Sequence, residues 1–381
     1  MKMAGDPQNE SPRITTSQGP ATDAAIGALE VVHLFYDAMP TGVTVSRRGR
    51  IFVNYPRWGD DVPFTVGELR DGEEVAYPTA EFNQPKHDAD PDALVSVQSV
   101  VVDPLDRLWI LDTGRPTWNL ASRGGPKLVC VDLAGDEVVR TIVFEPDVAL
   151  PTTYLNDVRF DLRRGAAGAA FITDSADGAP NGIIVVDLDS GESWRRLHDH
   201  PSTKALTPSD LRIVIEGEQL LNRPPDGRTS PVAVGADGIA ISADGERLYY
   251  CPFASRRLWS VTVDALMDRD NDDAAVASVV DEGDKGSTGD GMETDAEGRI
   301  YITAGERNSV DRLLADGSWE TVVHDARLLW PDTLSVAADG YLYVTANQLY
   351  RAPGFRRGKD ERRKPYALFR TRIDAGPIAL R

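Results

Sequence analysis

The 381-residue sequence has little cysteine, no long apolar run, and fewer basic than acidic residues. Two cysteines, Cys130 and Cys251, exclude a scaffold built from disulfide bonds. No stretch approaches the roughly 18 apolar residues of a membrane-spanning helix. Lys and Arg number 41 against 60 Asp and Glu, and the net charge of −19 opposes binding to nucleic-acid phosphates. We therefore expect neither a membrane nor a nucleic-acid partner.

The N-terminal stretch lacks a hydrophobic period and the apolar central region of a secretory signal peptide. We expect residues 1–27 to form a disordered tail and residues 28–381 to form one domain. The same stretch bears on location. The protein is expected to be cytoplasmic if this N-terminus is native, and secreted if a signal peptide has been removed.

Turn residues and an internal repeat stand out instead. The 33 glycines and 25 prolines favour strands and tight turns over long helices. A short alternating strand, a turn with Asp-Gly or a related pair, and a second apolar strand recur six times. The copies begin at Thr41, Ser99, Asn156, Asp237, Asp290 and Asp332. A period of roughly 40–50 residues is typical of a four-stranded propeller blade. The sequence therefore predicts an all-β fold, a six-bladed β-propeller.

The last copy explains how the ring closes. It starts at Asp332 and supplies three strands, whereas residues 29–35 precede the first copy and have no other partner. Because unpaired strand edges are unfavourable, we expect this N-terminal strand to complete the last blade.

The widest gap between copies, from Asn156 to Asp237, indicates an insertion. We expect residues 202–234 to cap or rim one mouth of the central channel. A short helix over residues 208–215, capped by Ser209, is predicted within it. The alternative is a detached surface loop.

The residues that open the six inner strands are all polar, and in a propeller they converge on one channel mouth. Three of them are carboxylates, which raise one another's pKa unless a cation or shared protons lie between them. Carboxylate and amide oxygens suit a hard ion, so we expect a divalent cation, Ca²⁺ first and Mg²⁺ second. The other interpretation is that these side chains accept hydrogen bonds from backbone N–H groups in the bends before the strands.

Roles follow from these positions. Asn156, Asp237 and Asp290 are the predicted metal ligands, and Asp237 and Asp290 are also the predicted catalytic residues. Two tryptophans near loops are candidates for lining a ligand pocket. The predicted ligand-binding residues are Thr41, Ser99, Asp332, Trp118 and Trp330.

Three pairs of segments resemble the major royal jelly/yellow protein family. They are residues 42–45 with 50–58, 96–103 with 108–114, and 154–161 with 170–175. The resemblance implies a six-bladed propeller. It also implies a small-molecule role, since members are linked to dopachrome conversion, amine binding or storage. A compact chain with few cysteines looks like a bacterial member.

Residues 237–240 and 290–298 are similar to the gluconolactonase and senescence-marker propellers. In those proteins a channel ion polarises a lactone carbonyl as a Lewis acid. The similarity implies that Asn156 and Asp237 are ion ligands. Thr41 and Ser99 stand where that family has Glu and Asn, and Asp290 and Asp332 face them across the ring.

Two functions remain open from the sequence. The favoured one is an enzyme, a metal-dependent hydrolase or isomerase that acts on a small oxygenated molecule by lactone hydrolysis or by tautomerisation. The alternative is a non-catalytic protein that holds a small amine between carboxylates and aromatic rings. In either case we expect a monomer with a small-molecule partner.

Overall fold

Short antiparallel strands and tight turns dominate the computed structural model, which describes residues 24–87, 89–116, 125–207 and 209–381. Within these ranges the strands form six four-stranded sheets and two two-stranded ones. Each four-stranded sheet is one blade, so the predicted six-bladed propeller is confirmed.

The blades follow one another along the chain. Blade one contains β2 (Gly42–Val45), β3 (Ile51–Asn54), β4 (Val66–Arg70) and β5 (Glu73–Ala76). Blade two contains β6 (Val97–Val102), β7 (Arg107–Asp112), β8 (Lys127–Asp132) and β9 (Glu137–Val143). Blade three contains β10 (Leu155–Asp161), β11 (Ala169–Asp174), β12 (Gly182–Asp187) and β13 (Ser193–Arg196). Blade four contains β18 (Ala236–Ile241), β19 (Arg247–Pro252), β20 (Arg257–Thr262) and β21 (Val280–Asp284). Blade five contains β22 (Met292–Thr294), β23 (Ile300–Ala304), β24 (Ser309–Leu313) and β25 (Trp319–His324). Blade six contains β26 (Pro331–Val336), β27 (Tyr341–Ala346), β28 (Tyr366–Arg372) and β1 (Glu30–Phe35).

The N-terminal strand closes the ring, as the sequence predicted. β1 pairs with β28, with Val31 opposite Phe369 and Phe35 opposite Tyr366, in the sheet that contains Asp332. Residues 1–23, most of the expected tail, lie outside the described residues. Just before β1, Ile26 exchanges two backbone hydrogen bonds of 3.0 Å with His324 of blade five.

The first strands of the blades stand next to one another around the central channel: β2, β6, β10, β18, β22 and β26. Apolar side chains between blades form the core. Trp109 of blade two stacks on Phe160 of blade three, with ring centroids 5.2 Å apart, and both are buried. Burial of apolar area between adjacent sheets is the main force that holds the blades together.

The insertion before blade four forms two small hairpins. These are β14 (Val214–Ile215) with β15 (Glu218–Gln219), and β16 (Leu221–Asn222) with β17 (Ser230–Pro231). The helix predicted over residues 208–215 is therefore wrong. Ile213, Val214 and Ile215 are β-branched, and Glu216 and Gly217 have positive φ angles of 51° and 78°, which is the geometry of a tight hairpin turn. Residue 208 lies outside the described residues.

Helices are few and short in the described residues. α1 (Val263–Met267) and α2 (Asp272–Ala277) join β20 to β21. Single 3₁₀ turns are found at Glu81–Asn83, Pro201–Thr203, Gly305–Arg307, Leu349–Arg351 and Pro353–Phe355. In this part of the chain, no helix has both the length and the apolar character needed to cross a membrane.

Candidate functional site

A bulge near the start of the inner strand shapes the channel mouth in several blades. In blade four, Ala236 pairs with Pro252 and Ile239 with Tyr250, so Asp237 and Gly238 lie between the paired positions. Blades three and six skip a residue in the same way. Because a bulge re-aims the side chains within it, the pattern turns Asn156, Asp237 and Asp332 toward the mouth.

The strand register in blade two differs from the one expected when the six copies of the repeat are aligned by their turns. Val97 pairs with Asp112 and Val100 with Ile110, so the residue that corresponds to Asp237 is Gln98 rather than Ser99. The spacing of the turns does not reveal where the extra residue of a bulge lies, and this shifts the alignment by one. Ser99 still lines the mouth cavity beside Gln98.

The Asp-Gly pairs at residues 237–238 and 290–291 have a packing cause. A Cβ atom on Gly238 would lie 2.4 Å from the carbonyl oxygen of Asp290, and one on Gly291 would lie 2.4 Å from that of Asp332. Gly291 instead donates its N–H to this oxygen of Asp332 at 2.8 Å. Glycine therefore lets adjacent inner strands approach closely, which brings their aspartates together.

Asp237 and Asp290 form the centre of the site, because their side chains are hydrogen-bonded to each other. Asn156 donates its amide N–H to Oδ1 of Asp237. The indole N–H of Trp330 donates to Oδ2 of Asp290 at 2.9 Å. Each carboxyl group thus has its own neutral donor in addition to the contact between the two.

The pKa values of the two groups differ. Loss of hydration, the negative charge of Asp290 and the hydrogen bond to it hold the pKa of Asp237 well above its usual 3.8. Loss of hydration raises the pKa of Asp290 to about 6, while the hydrogen bonds from Asp237 and Trp330 oppose this rise. Asp290 therefore gives up its proton at lower pH than Asp237 does.

Asp332 adds a third carboxyl group to the mouth. Burial and the negative charge of Asp290 raise its pKa well above 3.8. Asn347 donates to Oδ2 of Asp332 at 2.6 Å and to the carbonyl oxygen of Pro40 at 3.1 Å. The amide therefore fixes this carboxyl group against the loop before blade one.

Several residues at the mouth were not identified from the sequence. Trp58 donates to the hydroxyl of Tyr154 at 2.7 Å, and that hydroxyl donates to Oε1 of Gln98 at 2.9 Å. Asp157 accepts a hydrogen bond of 2.7 Å from Ser99. A cavity of about 10 Å³, room for about one water molecule, is lined by Gln98, Ser99, Asn156, Asp157, Asp290, Gly291, Asp332 and Thr333. The signal for Asp157 and Tyr154 was their closeness to Asn156 in the chain, whereas Trp58 comes from a distant loop.

The remaining predicted residues differ in their placement. Thr41 is fully buried, its hydroxyl accepts a 2.9 Å bond from Asn54, and it is not among the residues that line the cavity. Trp330 is buried and stacks on Phe253, with ring centroids 5.2 Å apart. Trp118 lies outside the described residues.

The insertion lies beside the mouth. Ile213, Ile215, Leu220 and Val232 pack in one apolar cluster with Trp330. Because Trp330 also contacts Asp290, the insertion reaches the carboxyl pair through this indole and forms one rim of the mouth.

The side chains at the mouth decide whether a metal ion fits there. Over the described ranges, no group of three or more His, Cys, Asp or Glu side chains is arranged to hold a metal ion. Asn156 turns its N–H rather than its oxygen to Asp237, and the two aspartates are bonded to each other. As arranged, these residues do not form a coordination set, and the Ca²⁺ site stays a prediction.

The fold and the mouth together define a class: a six-bladed β-propeller with a cluster of buried carboxyl groups at one end of its channel. Residues 95–372 match the family model described as "Major royal jelly protein". The chain therefore belongs to the major royal jelly protein family, and the resemblance found in the first three blades is confirmed.

Individual relatives are distant. Major royal jelly protein 7 of Apis mellifera is 28% identical over 219 residues, 56% of this chain and 46% of that protein. The L-dopachrome tautomerase yellow-f of Drosophila melanogaster is 25% identical over 343 residues, 82% of this chain and 75% of that one. Across the first curated relatives it matches, the chain spans about half their length or less.

Solved structures are similar in fold alone. The calcium-binding protein regucalcin from Agrobacterium tumefaciens has a TM-score of 0.54 and 16% identity, and the match covers 92% of this chain and 95% of that chain.

Proposed function

We propose that this protein is an enzyme that tautomerises a small oxygenated molecule at the channel mouth, with Asp237 and Asp290 transferring the proton. The observation that carries the proposal is the buried, hydrogen-bonded carboxyl pair. One member, Asp290, gives up its proton at lower pH than the other, Asp237. A general acid and a general base therefore lie side by side, which a proton shift within a substrate requires.

The reaction is a proton transfer with no net change in protonation. Ionised Asp290 removes a proton from a saturated carbon that is conjugated with the substrate's carbonyl group. The C–H electron pair forms a new C=C bond, and the π electrons shift through the conjugated system to the carbonyl oxygen. Asp237 gives its proton to the carbonyl oxygen, which produces the enol. The proton on Asp290 then returns to Asp237 through their hydrogen bond, and the enzyme regains its starting state.

Two donors position the reacting groups. Trp330 stabilises the ionised form of Asp290, and Asn156 holds Asp237 from the other side. The name of one relative matched over 82% of this chain, L-dopachrome tautomerase, supports the same reaction class. L-Dopachrome is accordingly the first substrate to test.

The test measures decay of L-dopachrome colour with purified protein. We expect turnover by the wild type and a loss of at least about 100-fold in kcat for Asp237→Asn and for Asp290→Asn, since general acid–base steps contribute factors of this size. Asp226→Asn is the matched control, because Asp226 is a surface acid paired only with Arg228 in the described part of the chain. Equal turnover by the wild type and Asp237→Asn would contradict the proposal.

A binding protein for small amines is the second candidate. The observation in its favour is that an ionised carboxylate, Asp290, lies beside the aromatic ring of Trp330. Calorimetric titration with tyramine distinguishes the two candidates. Stoichiometric binding by a protein that turns over no L-dopachrome would assign the mouth to binding rather than catalysis.

The predicted Ca²⁺ is a separate proposal. To bind, the ion has to replace the proton that Asp237 and Asp290 share, and Asn156 has to present its oxygen. Calorimetric titration with Ca²⁺ in two buffers of different ionisation enthalpy tests this exchange. The site is supported if Ca²⁺ binding to the wild type releases a proton and if Asp237→Asn binds Ca²⁺ more weakly. Identical heats from the wild type and Asp237→Asn reject it.

A further inference from the structure

A second cavity lies at the opposite end of the central channel. Its volume is about 80 Å³, and its walls come from the far ends of the inner strands. Apolar side chains dominate, including Val101, Phe160, Ile241 and Val336. This lower cavity is larger than the one at the carboxyl mouth, which has a volume of about 10 Å³.

Residues 374–381, here called the strap, cross beneath this cavity. Pro377 bridges to Asp295 of blade five, and the N–H of Leu162 in blade three donates to the carbonyl oxygen of Leu380 at 2.9 Å. Leu380 is buried, and Pro377 and Ile378 line the cavity. The strap therefore partly covers the lower mouth and adds apolar surface to it.

Arg159 projects from β10 into the channel and lines the lower cavity. Its side chain is 5% exposed, pairs with Asp157 at 2.9 Å and lies 3.5 Å from Oε2 of Glu293. It also donates to the carbonyl oxygens of Val158 and Met292. Its Nε–H has no hydrogen-bond partner among the described residues. A buried donor without an acceptor is unfavourable, which points to a missing oxygen at this position.

The charge around Arg159 favours an anionic oxygen. Loss of hydration raises the pKa of Glu293, although Arg159 opposes this. Arg47 stands exposed at the rim of the cavity, and within the described residues its guanidinium makes no ion pair. Arg47 and Arg159 thus line a cavity with mainly apolar walls, together with Asp103 and Glu293.

We propose that the lower cavity binds an organic acid, with its apolar body against the walls and strap and its carboxylate between Arg159 and Arg47. Guanidinium groups suit this ligand because their N–H donors match carboxylate oxygens in geometry and charge. The Asp157–Arg159 ion pair lies between this cavity and the carboxyl mouth. The site is therefore distinct from the one proposed for tautomerisation.

Calorimetric titration with octanoate tests the proposal, and octan-1-ol serves as the matched neutral ligand. We expect one octanoate per chain, bound at least about tenfold more tightly than octan-1-ol, because only the acid uses the arginines. Arg47→Gln should weaken octanoate binding about tenfold by removing the rim charge. Ala338→Trp should abolish it, because Ala338 is an exposed lining residue where an indole fills the opening without disturbing the core.

Two results would overturn the proposal. One is equal octanoate affinity for the wild type, Arg47→Gln and Ala338→Trp, with all three shown to be folded by circular dichroism. The other is loss of octanoate binding in Asp237→Asn, because the acid would then occupy the carboxyl mouth. Since turnover of L-dopachrome is measured separately, failure of this proposal is distinguishable from failure of the tautomerase proposal.

Discussion

At the scale of single residues, the proposed chemistry depends on which carboxyl group holds the shared proton. Asp237 holds the proton more strongly, because both burial and the negative charge of Asp290 disfavour its ionised form. Asp290 is helped to ionise by the donors Asp237 and Trp330. The two aspartates thus differ in role because their donors and neighbouring charges differ, as expected for an acid and a base in one site.

We expect a bell-shaped dependence of turnover on pH. Activity should rise as Asp290 ionises, around pH 6, and fall at higher pH when Asp237 loses its proton. The measurement is kcat/KM for L-dopachrome across the pH range in which the protein stays folded. A flat profile would show that neither carboxyl group titrates in the rate-limiting step.

Trp330→Phe provides a control for this profile. The substitution keeps an aromatic ring next to Phe253 and removes the N–H that donates to Asp290. Because that donor lowers the pKa of Asp290, its loss should move the rising limb of the profile to higher pH. A purely structural role for Trp330 predicts lower activity with the limb unmoved.

Asp237→Asn should stabilise the protein at pH 7. A carboxyl group whose pKa is raised by folding contributes stability that is fully present below its unfolded pKa, near 4, and lost as the pH rises through its folded pKa. Asparagine does not ionise in the unfolded chain, so the variant does not lose this stability as the pH rises. We expect a gain of at least about 1 kcal/mol at pH 7 and almost none at pH 4.

Urea unfolding at the two pH values measures this effect. Asp226→Asn is again the control, because it removes one negative charge from a chain of net charge −19 without touching the mouth. An equal gain from both substitutions would attribute the effect to general charge repulsion rather than to the carboxyl pair.

At the scale of elements, a single substitution in the closing strand β1 tests how much this strand contributes to the free energy of unfolding. Phe35 is fully buried at the end of this strand, within a cluster that also contains Val53 of blade one and Leu368 of blade six. Val31, on the same strand, is 49% exposed. The strand therefore offers a core position and a surface position for one comparison.

Phe35→Ala should lower the free energy of unfolding by about 3–5 kcal/mol, the usual cost of truncating a buried phenylalanine. Val31→Ala should change it by less than about 0.5 kcal/mol, as surface substitutions do. Urea unfolding followed by fluorescence and circular dichroism gives both values. A small effect at Phe35 would mean that the ring is stable without its N-terminal strand.

The insertion illustrates why local patterns mislead at this scale. Ser209 before an apolar stretch predicts a capped helix, yet residues 214–215 pair with residues 218–219 as a hairpin. The β-branched residues and the turn at Glu216 and Gly217 outweigh the capping signal, and packing against Trp330 fixes the hairpin in place.

At the scale of the whole molecule, the channel joins two sites of different character. Carboxyl groups collect at the mouth where the inner strands begin, and arginines face the cavity where they end. Both sites draw residues from several blades, so neither exists until the ring has closed. Ring closure is therefore a condition of both proposed functions as well as of stability.

The sequence by itself determined the number of blades, the closing strand and the identity of the converging aspartates. These features follow from local rules. Side chains alternate between the two faces of a strand, tight turns need particular residues, and an unpaired strand edge needs a partner. Asp237, Asp290 and Asp332 were identified because each opens a copy of the repeat. The insertion's position beside the mouth followed from the widest gap between copies.

Only the tertiary structure decided the register at Gln98, the bond between Asp237 and Asp290, and the contacts of Trp58 and Tyr154. The bulge that shifts blade two depends on the partner strand, and the shared proton depends on distances between different blades. The Nε–H of Arg159, which lacks a hydrogen-bond partner among the described residues, likewise becomes evident only in the assembled ring. A pKa or an unmet hydrogen bond is set by neighbours distant in the chain, which is the physical reason why repeat spacing cannot reveal it.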